Sequence, residues 1–239
     1  MSEKELNSVF RFHGGIALPI RCSTLVCGLD PFASVFLRGS LIGGPGCQLI
    51  GSGVCTNDVT SGNSFRQDQP TDKCCNIYRI DSEEESLVAC TFTFADPAQD
   101  WANELFSCIV PGRVLVFCTM AYQYFRVTDP LSETTPFLRL CCYPDSVKEF
   151  QRTREVCPRL EAPNELTGAS GLVVSYCQHH SVPLKVYVCV TDSPRPDRQT
   201  MRRFLSAYRA TPQLNSFAAT EQDVFKQLPN VESDTPMYI

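Results

Sequence analysis

The segment at residues 168–192 constrains the fold more than any other part of the chain. Its first half has apolar residues at helical spacing up to Cys177, and Pro183 then breaks this pattern. Residues 184–190 follow as an almost unbroken apolar run, in which Lys185 is the one polar residue. A strand without alternation is typical of a sheet that is covered on both faces. The segment therefore predicts a helix that leads into a buried strand, with helices on both sides of the sheet.

Three further helices are predicted from aspartates that can cap a first turn, namely Asp30, Asp96 and Asp197. Proline follows directly after the first two aspartates, which is its preferred place in a helix. A short apolar strand at residues 22–28 precedes the first helix, and Pro111 and Gly112 are expected to end the second one. These alternating strands and helices predict an α/β fold.

The remaining pattern adds strands and loops. Residues 74–80 and 87–94 are interpreted as an antiparallel hairpin, and residues 114–119 and 136–140 as further strands. The glycine-rich residues 39–53 complete no phosphate-binding motif and are interpreted as a turn or an edge bend. The predicted fold class is an α/β three-layer sandwich with a mixed, mostly parallel β-sheet and helices on both faces.

Length and charge indicate one globular domain. The chain has 239 residues, of which 43% are apolar and 20% are charged. We expect a loose lead-in at residues 1–19, a single α/β domain at 20–229 and a flexible tail at 230–239. The net charge of −5 comes without a long basic block, which argues against nucleic acid and membrane surfaces as partners. Without an apolar run of membrane length or the zones of a signal peptide, the expected location is the cytosol or the nucleus.

The 14 cysteines are the unusual compositional feature. Most lie inside apolar runs, as Cys27, Cys90, Cys118 and Cys189 do, and no CxxC spacing occurs. We expect them to be reduced core residues, with no disulfide framework, no metal site and no cofactor.

No catalytic residues are predicted. Ser170 lies in a GASG sequence at a helix start, which does not have the spacing of a hydrolase nucleophile. Cys177 and His180 could pair, but both lie near the carboxyl end of a helix, whose dipole opposes a thiolate. The acidic residues 83–85 lie in a polar loop without the apolar setting that separates two carboxyl pKa values.

Several segments in order resemble the proteasome assembly chaperone 1 family. They are VSYCQ at 174–178, VPL at 182–184, VYVCVTD at 186–192, TPFLR at 135–139, CPRLEAPN at 157–164 and the terminal MYI at 237–239. Together they span roughly the carboxyl-terminal half, whereas the first half is similar only in its opening strand and helix. The longer family members carry an extended charged amino-terminal region that is lacking here.

The resemblance implies a non-enzymatic chaperone for assembly of the proteasome core particle. It implies a heterodimer with a homologous second assembly chaperone (proteasome assembly chaperone 2), which together bind the α-ring of α-type subunits. Met237, Tyr238 and Ile239 would form an HbYX-like motif (hydrophobic, tyrosine, any residue) that enters a pocket between neighbouring α-subunits. Tyr122, Tyr124 and Phe125 are candidates for the dimer interface, with a core position as the alternative. The alternative function is a phosphorylase-like or hydrolase-like α/β enzyme that acts on a small metabolite.

Overall fold

A computed structural model describes residues 10–44, 46–53, 75–80, 86–93, 100–126, 134–144, 157–214 and 216–229. The strands are β1 (Phe10–Phe12), β2 (Ile20–Gly28), β3 (Cys47–Gly53), β4 (Cys75–Ile80), β5 (Leu87–Phe92), β6 (Ile109–Ala121), β7 (Phe137–Tyr143) and β8 (Leu184–Thr191). The α-helices are α1 (Pro31–Leu37), α2 (Trp101–Cys108), α3 (Gly168–His179), α4 (Arg198–Arg209) and α5 (Glu221–Phe225). A π-helical turn at Arg38–Ile42 extends α1, and 3-10 turns lie at Tyr122–Tyr124 and Pro212–Leu214.

The eight described strands form one mixed sheet in the order β1-β3-β4-β5-β2-β6-β8-β7. The central strands β5, β2, β6 and β8 are parallel to one another. The other four pairings, β1–β3, β3–β4, β4–β5 and β7–β8, are antiparallel. The mixed sheet is confirmed, but "mostly parallel" overstates it, because antiparallel strands extend the parallel centre on both sides.

Helices cover both faces of this sheet, which confirms the three-layer sandwich. On one face, α2 and α3 pack on the strands through residues such as Trp101, Leu105 and Val173. On the other face, α1, α4 and α5 pack through Phe36, Phe204 and their neighbours. The sheet thus separates two apolar cores, one on each of its faces.

The segment at residues 168–192 forms the predicted helix and buried strand. Helix α3 ends at His179, and the turn after it leads into β8, which lies between β6 and β7. Every residue of β8 except Lys185 is buried. The continuous apolar pattern arises because both faces of this strand contact a core.

Part of the predicted lead-in belongs to the domain. Within residues 1–19, Phe10–Phe12 form the edge strand β1, which pairs with β3. Phe10 is buried, and its ring centroid lies 6.3 Å from that of Trp101. A three-residue strand has too little periodicity to be recognised, so this correction could not be made from the pattern.

Two glycine-containing segments were also assigned wrongly. Residues 39–53, interpreted as a turn or bend, contain the π-helical turn and all of β3. Helix α2 ends at Cys108, before Pro111 and Gly112, and both of these lie inside the long strand β6. Pairing of β6 with β8 begins only at Val114, so the proline lies outside that ladder. A Cβ on Gly112 would lie 3.0 Å from the Ser23 oxygen, so glycine permits close approach to β2.

Other predictions fall on parts of the chain that the structure does not describe. The Asp96-Pro97 cap signal, the acidic residues 83–85 and the terminal residues 230–239 all lie outside the described ranges. Among the described residues, no helix has the length and apolar character needed to span a membrane.

Candidate functional site

The carboxyl ends of the parallel strands are the first place to look for a ligand site. In open α/β sheets, ligands bind where neighbouring strands lead off in opposite directions, and β2, between β5 and β6, lies at that point. Here the position is occupied by the side chain of Asp30, which follows β2. Its Oδ1 accepts a hydrogen bond from the Ala33 amide at 2.8 Å, as predicted for the α1 cap. Its Oδ2 accepts from the Thr119 amide and, at 3.1 Å, from the Thr119 hydroxyl.

These contacts make Asp30 a bridge between α1 and β6. Burial raises the pKa of the Asp30 carboxyl above its ordinary value, while the hydrogen bonds from Ala33 and Thr119 act in the opposite direction. Ser34 fills the neighbouring gap, because its hydroxyl donates to the Phe92 oxygen at 2.7 Å and accepts from the Phe92 amide at 3.1 Å. The side chains of Asp30 and Ser34 therefore direct their polar groups at the protein itself.

The side chains considered as nucleophiles do not form a catalytic pair. The Ser170 hydroxyl donates to the Thr167 oxygen at 2.9 Å, within the first turn of α3. Cys177 is fully buried, and burial raises the pKa of its thiol to about 12, so it remains protonated near neutral pH. His180 lies on the surface and stacks on the Tyr176 ring at 4.2 Å between centroids. The two residues thus face different environments.

The described cysteines behave as core residues. Most of them are buried, and burial raises the pKa of several thiols, including those of Cys22 and Cys157 to about 12. Cys75 and Cys90 lie side by side, with their sulfurs 3.4 Å apart, on adjacent strands β4 and β5. No group of three or more His, Cys, Asp or Glu side chains within the described ranges is arranged to hold a metal ion.

Three of the segments that resemble the chaperone family lie at or beside the edge strand β7, namely TPFLR, VYVCVTD in β8 and CPRLEAPN. TPFLR runs into this edge strand, and residues 157–164 pass beside it. The Leu140 amide donates to the Pro158 oxygen, and the Leu160 amide donates to the Leu140 oxygen, both at 2.8 Å. Asn164 then accepts from the Arg126 amide at 2.7 Å and donates to the Arg126 oxygen at 2.9 Å. The CPRLEAPN segment therefore provides hydrogen-bond partners for the exposed backbone groups in the middle of the edge strand β7.

The three candidate interface aromatics have different positions in the structure. Phe125 is buried and packs on Phe137, with ring centroids 5.2 Å apart. The Arg139 guanidinium lies over both of these rings, 5.3 Å from Phe125 and 4.7 Å from Phe137. Tyr122 packs edge-on against the same Phe137 ring at 6.4 Å. Of the three, only Tyr124, which is 72% exposed, presents most of its side chain for contact with a partner.

The proposed docking residues Met237, Tyr238 and Ile239 lie outside the described residues, but the structure shows where the segment before them is attached. Helix α5 begins after the cap Thr220, and its Val224 is fully buried against the α1 side of the sheet. The Phe225 ring lies under two guanidinium groups, at 5.5 Å from Arg198 and 5.4 Å from Arg202. We call α5 with these contacts the C-terminal anchor.

The sequence reasoning missed this anchor. From the sequence, Pro212 and Pro229 only bracket a short segment, because five helical residues give no clear periodicity. A usable signal was present in α4, where Arg198 and Arg202 are four residues apart and therefore share one helix face.

Comparison with known proteins gives a consistent assignment. A family model described as Proteasome assembly chaperone 4 matches residues 11–239. Proteasome assembly chaperone 1 of Danio rerio is 28% identical over 220 residues, which cover 89% of this chain and 77% of the fish protein. The protein of the same name from Mus musculus is 26% identical over 189 residues, which cover 77% of this chain and 63% of the mouse protein.

Solved structures with the same fold include two proteins from Pyrococcus furiosus. PbaB, an archaeal proteasome activator, has a TM-score of 0.64 at 10% identity, with 91% of this chain and 93% of that chain covered. PbaA, an archaeal homolog of proteasome-assembly chaperone, has a TM-score of 0.58 at 11% identity, with 91% of both chains covered. At these identities the similarity shows a shared fold.

Proposed function

Because the family model spans nearly all of it, this chain belongs to the proteasome assembly chaperone family, and we propose that it assists assembly of the proteasome core particle by binding the α-ring. The match over residues 11–239 is the observation that carries the proposal. Members of this family are chaperones and not enzymes, which confirms the prediction that the chain is not an enzyme. At the carboxyl end of the parallel strands, Asp30 and Ser34 bond to the protein itself, which agrees with this assignment.

The proposed active form is a heterodimer with a homologous second assembly chaperone, located in the cytoplasm and also in the nucleus. Stable obligate interfaces typically bury above about 2,000 Å² and are rich in aromatic groups. Tyr124 is the candidate aromatic that is exposed enough to contribute.

Affinity purification of the full chain from its own cells tests the assignment. We expect stoichiometric α-type proteasome subunits and one partner of similar size. A monomer that carries a small metabolite would instead support the phosphorylase-like or hydrolase-like enzyme, and would contradict the chaperone role.

In the proposed mechanism, Met237, Tyr238 and Ile239 enter a pocket between neighbouring α-subunits. The described part of the chain ends at Pro229, four residues after α5, and ten residues separate this point from the end of the motif. Fully extended, ten residues reach about 35 Å. The Ile239 carboxylate would meet a pocket lysine, a charge-assisted contact of about 1.5 to 3 kcal/mol net. Tyr238 would fix the orientation, and Met237 would fill an adaptable apolar niche.

Deleting residues 237–239 is expected to weaken binding to assembled α-rings at least tenfold, which needs a loss of only about 1.4 kcal/mol. Adding one glycine after Ile239 is expected to have nearly the same effect, because it displaces the carboxylate. Thermal melting and partner pairing are expected to stay unchanged, because the three residues follow a polar segment, 230–236, that has no apolar periodicity. Unchanged α-ring affinity in both variants would refute the tail mechanism and leave α-ring binding to the main body.

A further inference from the structure

The outer surface of α4 is basic although the protein as a whole is acidic. Four arginines lie in this helix, and no aspartate or glutamate occurs between Arg198 and Arg209, in a chain whose net charge is −5. All four arginines are exposed, as the apolar side of the helix is turned to the core. A concentrated positive surface on an acidic protein attracts acidic groups selectively.

Three of these arginines are held in place by contacts that leave part of each guanidinium at the surface. Arg198 and Arg202 lie over the Phe225 ring, and Arg202 also pairs with Glu221 at 3.3 Å. Arg203 donates from Nε to the Pro136 oxygen at 2.8 Å, which ties α4 to the start of β7. Pre-positioned side chains lose less conformational entropy when they bind a ligand.

Beside these arginines lies an open groove of about 400 Å³ between α4 and the residues before β7. Arg202 and Arg203 supply its charge, and hydroxyl and amide groups supply the rest of its polar lining, from Thr134, Thr135, Ser206 and Gln199. Within the described part of the chain, no carboxylate is among the residues that line it. Guanidinium groups match the planar carboxylate geometrically, and hydroxyl or amide donors can complete its hydrogen bonds.

We propose that this groove is a docking site for an acidic peptide segment of a partner protein, whose Asp and Glu carboxylates pair with Arg202 and Arg203. The positive charge of Arg202 and Arg203, with no carboxylate among the described lining residues, favours this ligand over a neutral or basic segment. An apolar helix is a poor occupant, because it would remove the exposed part of both guanidinium groups from water without giving them a new partner. The peptide-binding assay uses no proteasome subunit. It can therefore fail while α-type subunits still co-purify with the chain, and the reverse is also possible, so the two proposals are tested separately.

Fluorescence polarisation with the full chain tests the site. The probe is a labelled ten-residue peptide of alternating Asp and Glu, and its control is the matched Asn and Gln peptide. We expect the acidic peptide to bind at least tenfold more tightly, with an affinity that falls as salt rises, because screening weakens exposed charge pairs. The double variant Arg202→Gln/Arg203→Gln is expected to bind the acidic peptide at least tenfold more weakly than the natural protein. Arg203→Gln alone is expected to lose about threefold, in proportion to one of two pairings.

Arg209→Gln is the matched control, because Arg209 lies on the same helix but outside the groove. It is expected to change affinity less than twofold. Arg203→Gln also separates binding from loss of the C-terminal anchor, because the hydrogen bond of Arg203 goes to the Pro136 oxygen and not to α5. An equal loss in Arg209→Gln would show diffuse attraction and overturn the site. Equal binding of the neutral peptide, or tighter binding of a phosphoserine peptide or a single-stranded oligonucleotide, would overturn the assignment to acidic peptide.

Discussion

Replacing Asp30 with alanine is expected to lower the free energy of unfolding by about 3 kcal/mol, because two kinds of contact are lost together. Loss of a helix cap costs about 1 kcal/mol, and the Ala33 amide would then lack its acceptor. The Thr119 amide would also lose its acceptor, and an unsatisfied buried donor costs about 1 to 3 kcal/mol. Urea unfolding of the purified protein, followed by circular dichroism, measures the difference.

The matched control for this substitution is Asp197→Ala. Asp197 caps α4 by accepting from the Gln199 and Thr200 amides and from the Thr200 hydroxyl, so these side-chain hydrogen bonds lie within the first turn of the helix. Its loss is expected to cost about 1 kcal/mol, the ordinary value for a cap. Equal costs at Asp30 and Asp197 would show that the bridge from α1 to β6 contributes nothing.

The stabilisation by Asp30 is expected to depend on pH. Because burial raises the pKa of this carboxyl in the folded protein, the folded state holds the proton more tightly than the unfolded state. The contribution from this difference is fully present below about pH 4, the ordinary pKa of aspartate, and is lost as pH rises through the raised folded pKa. The advantage of the natural protein over the alanine variant is therefore expected to shrink on going from pH 4 to pH 7. An advantage that grows over this range would contradict the raised pKa.

Substituting Gly39 with alanine is expected to detach the C-terminal anchor. A Cβ at this position would lie 2.5 Å from the Val224 Cα and 2.8 Å from the Asp223 oxygen, closer than atoms can approach. Both neighbours are backbone atoms, so α5 must move away as a unit. Exposure of the buried Val224 side chain costs about 2 kcal/mol. Hydrogen exchange is expected to show loss of protection in α5, with little change in the central strands.

The same variant is expected to weaken the proposed α-ring binding about threefold, because a freed α5 nearly doubles the length of the tether and dilutes the tail. Gly44→Ala is its control, since a Cβ there meets no atom within 4 Å. Retained protection of α5 in Gly39→Ala would show that this contact does not hold the anchor. If Gly39→Ala weakened α-ring binding while hydrogen exchange in α5 stayed normal, the weaker binding would not come from detachment of the C-terminal anchor.

Local rules predicted the parts of the fold that are built from long, regular segments. The Asp30 and Asp197 caps were correct because a capping carboxylate acts on amides only two or three residues away. Strand β8 and the hairpin of β4 and β5 were recognised because burial on one or both faces leaves a clear apolar pattern.

The contacts that were missed are those between distant parts of the chain. The second half of the Asp30 interaction reaches Thr119, and the sequence near Asp30 carries no sign of it. Gly39 was interpreted as part of a bend, whereas its lack of a side chain makes room for Val224. The groove beside α4 likewise joins residues before β7 to a helix much later in the chain. Spacing rules describe neighbours along an element, and such contacts depend on how the elements are stacked.

The positions of α4 and α5 affect how this protein folds during its synthesis, because both helices come late in the chain and cover α1. The Phe36 ring of α1 packs on Phe204, with centroids 5.4 Å apart, and on Tyr208, at 5.9 Å. A nascent chain emerging from the ribosome thus carries α1 long before the helices that cover it exist. Exposed apolar surface of this kind promotes aggregation. This member of an assembly chaperone family therefore passes through a vulnerable stage of its own, which ends only when translation has supplied α4 and α5.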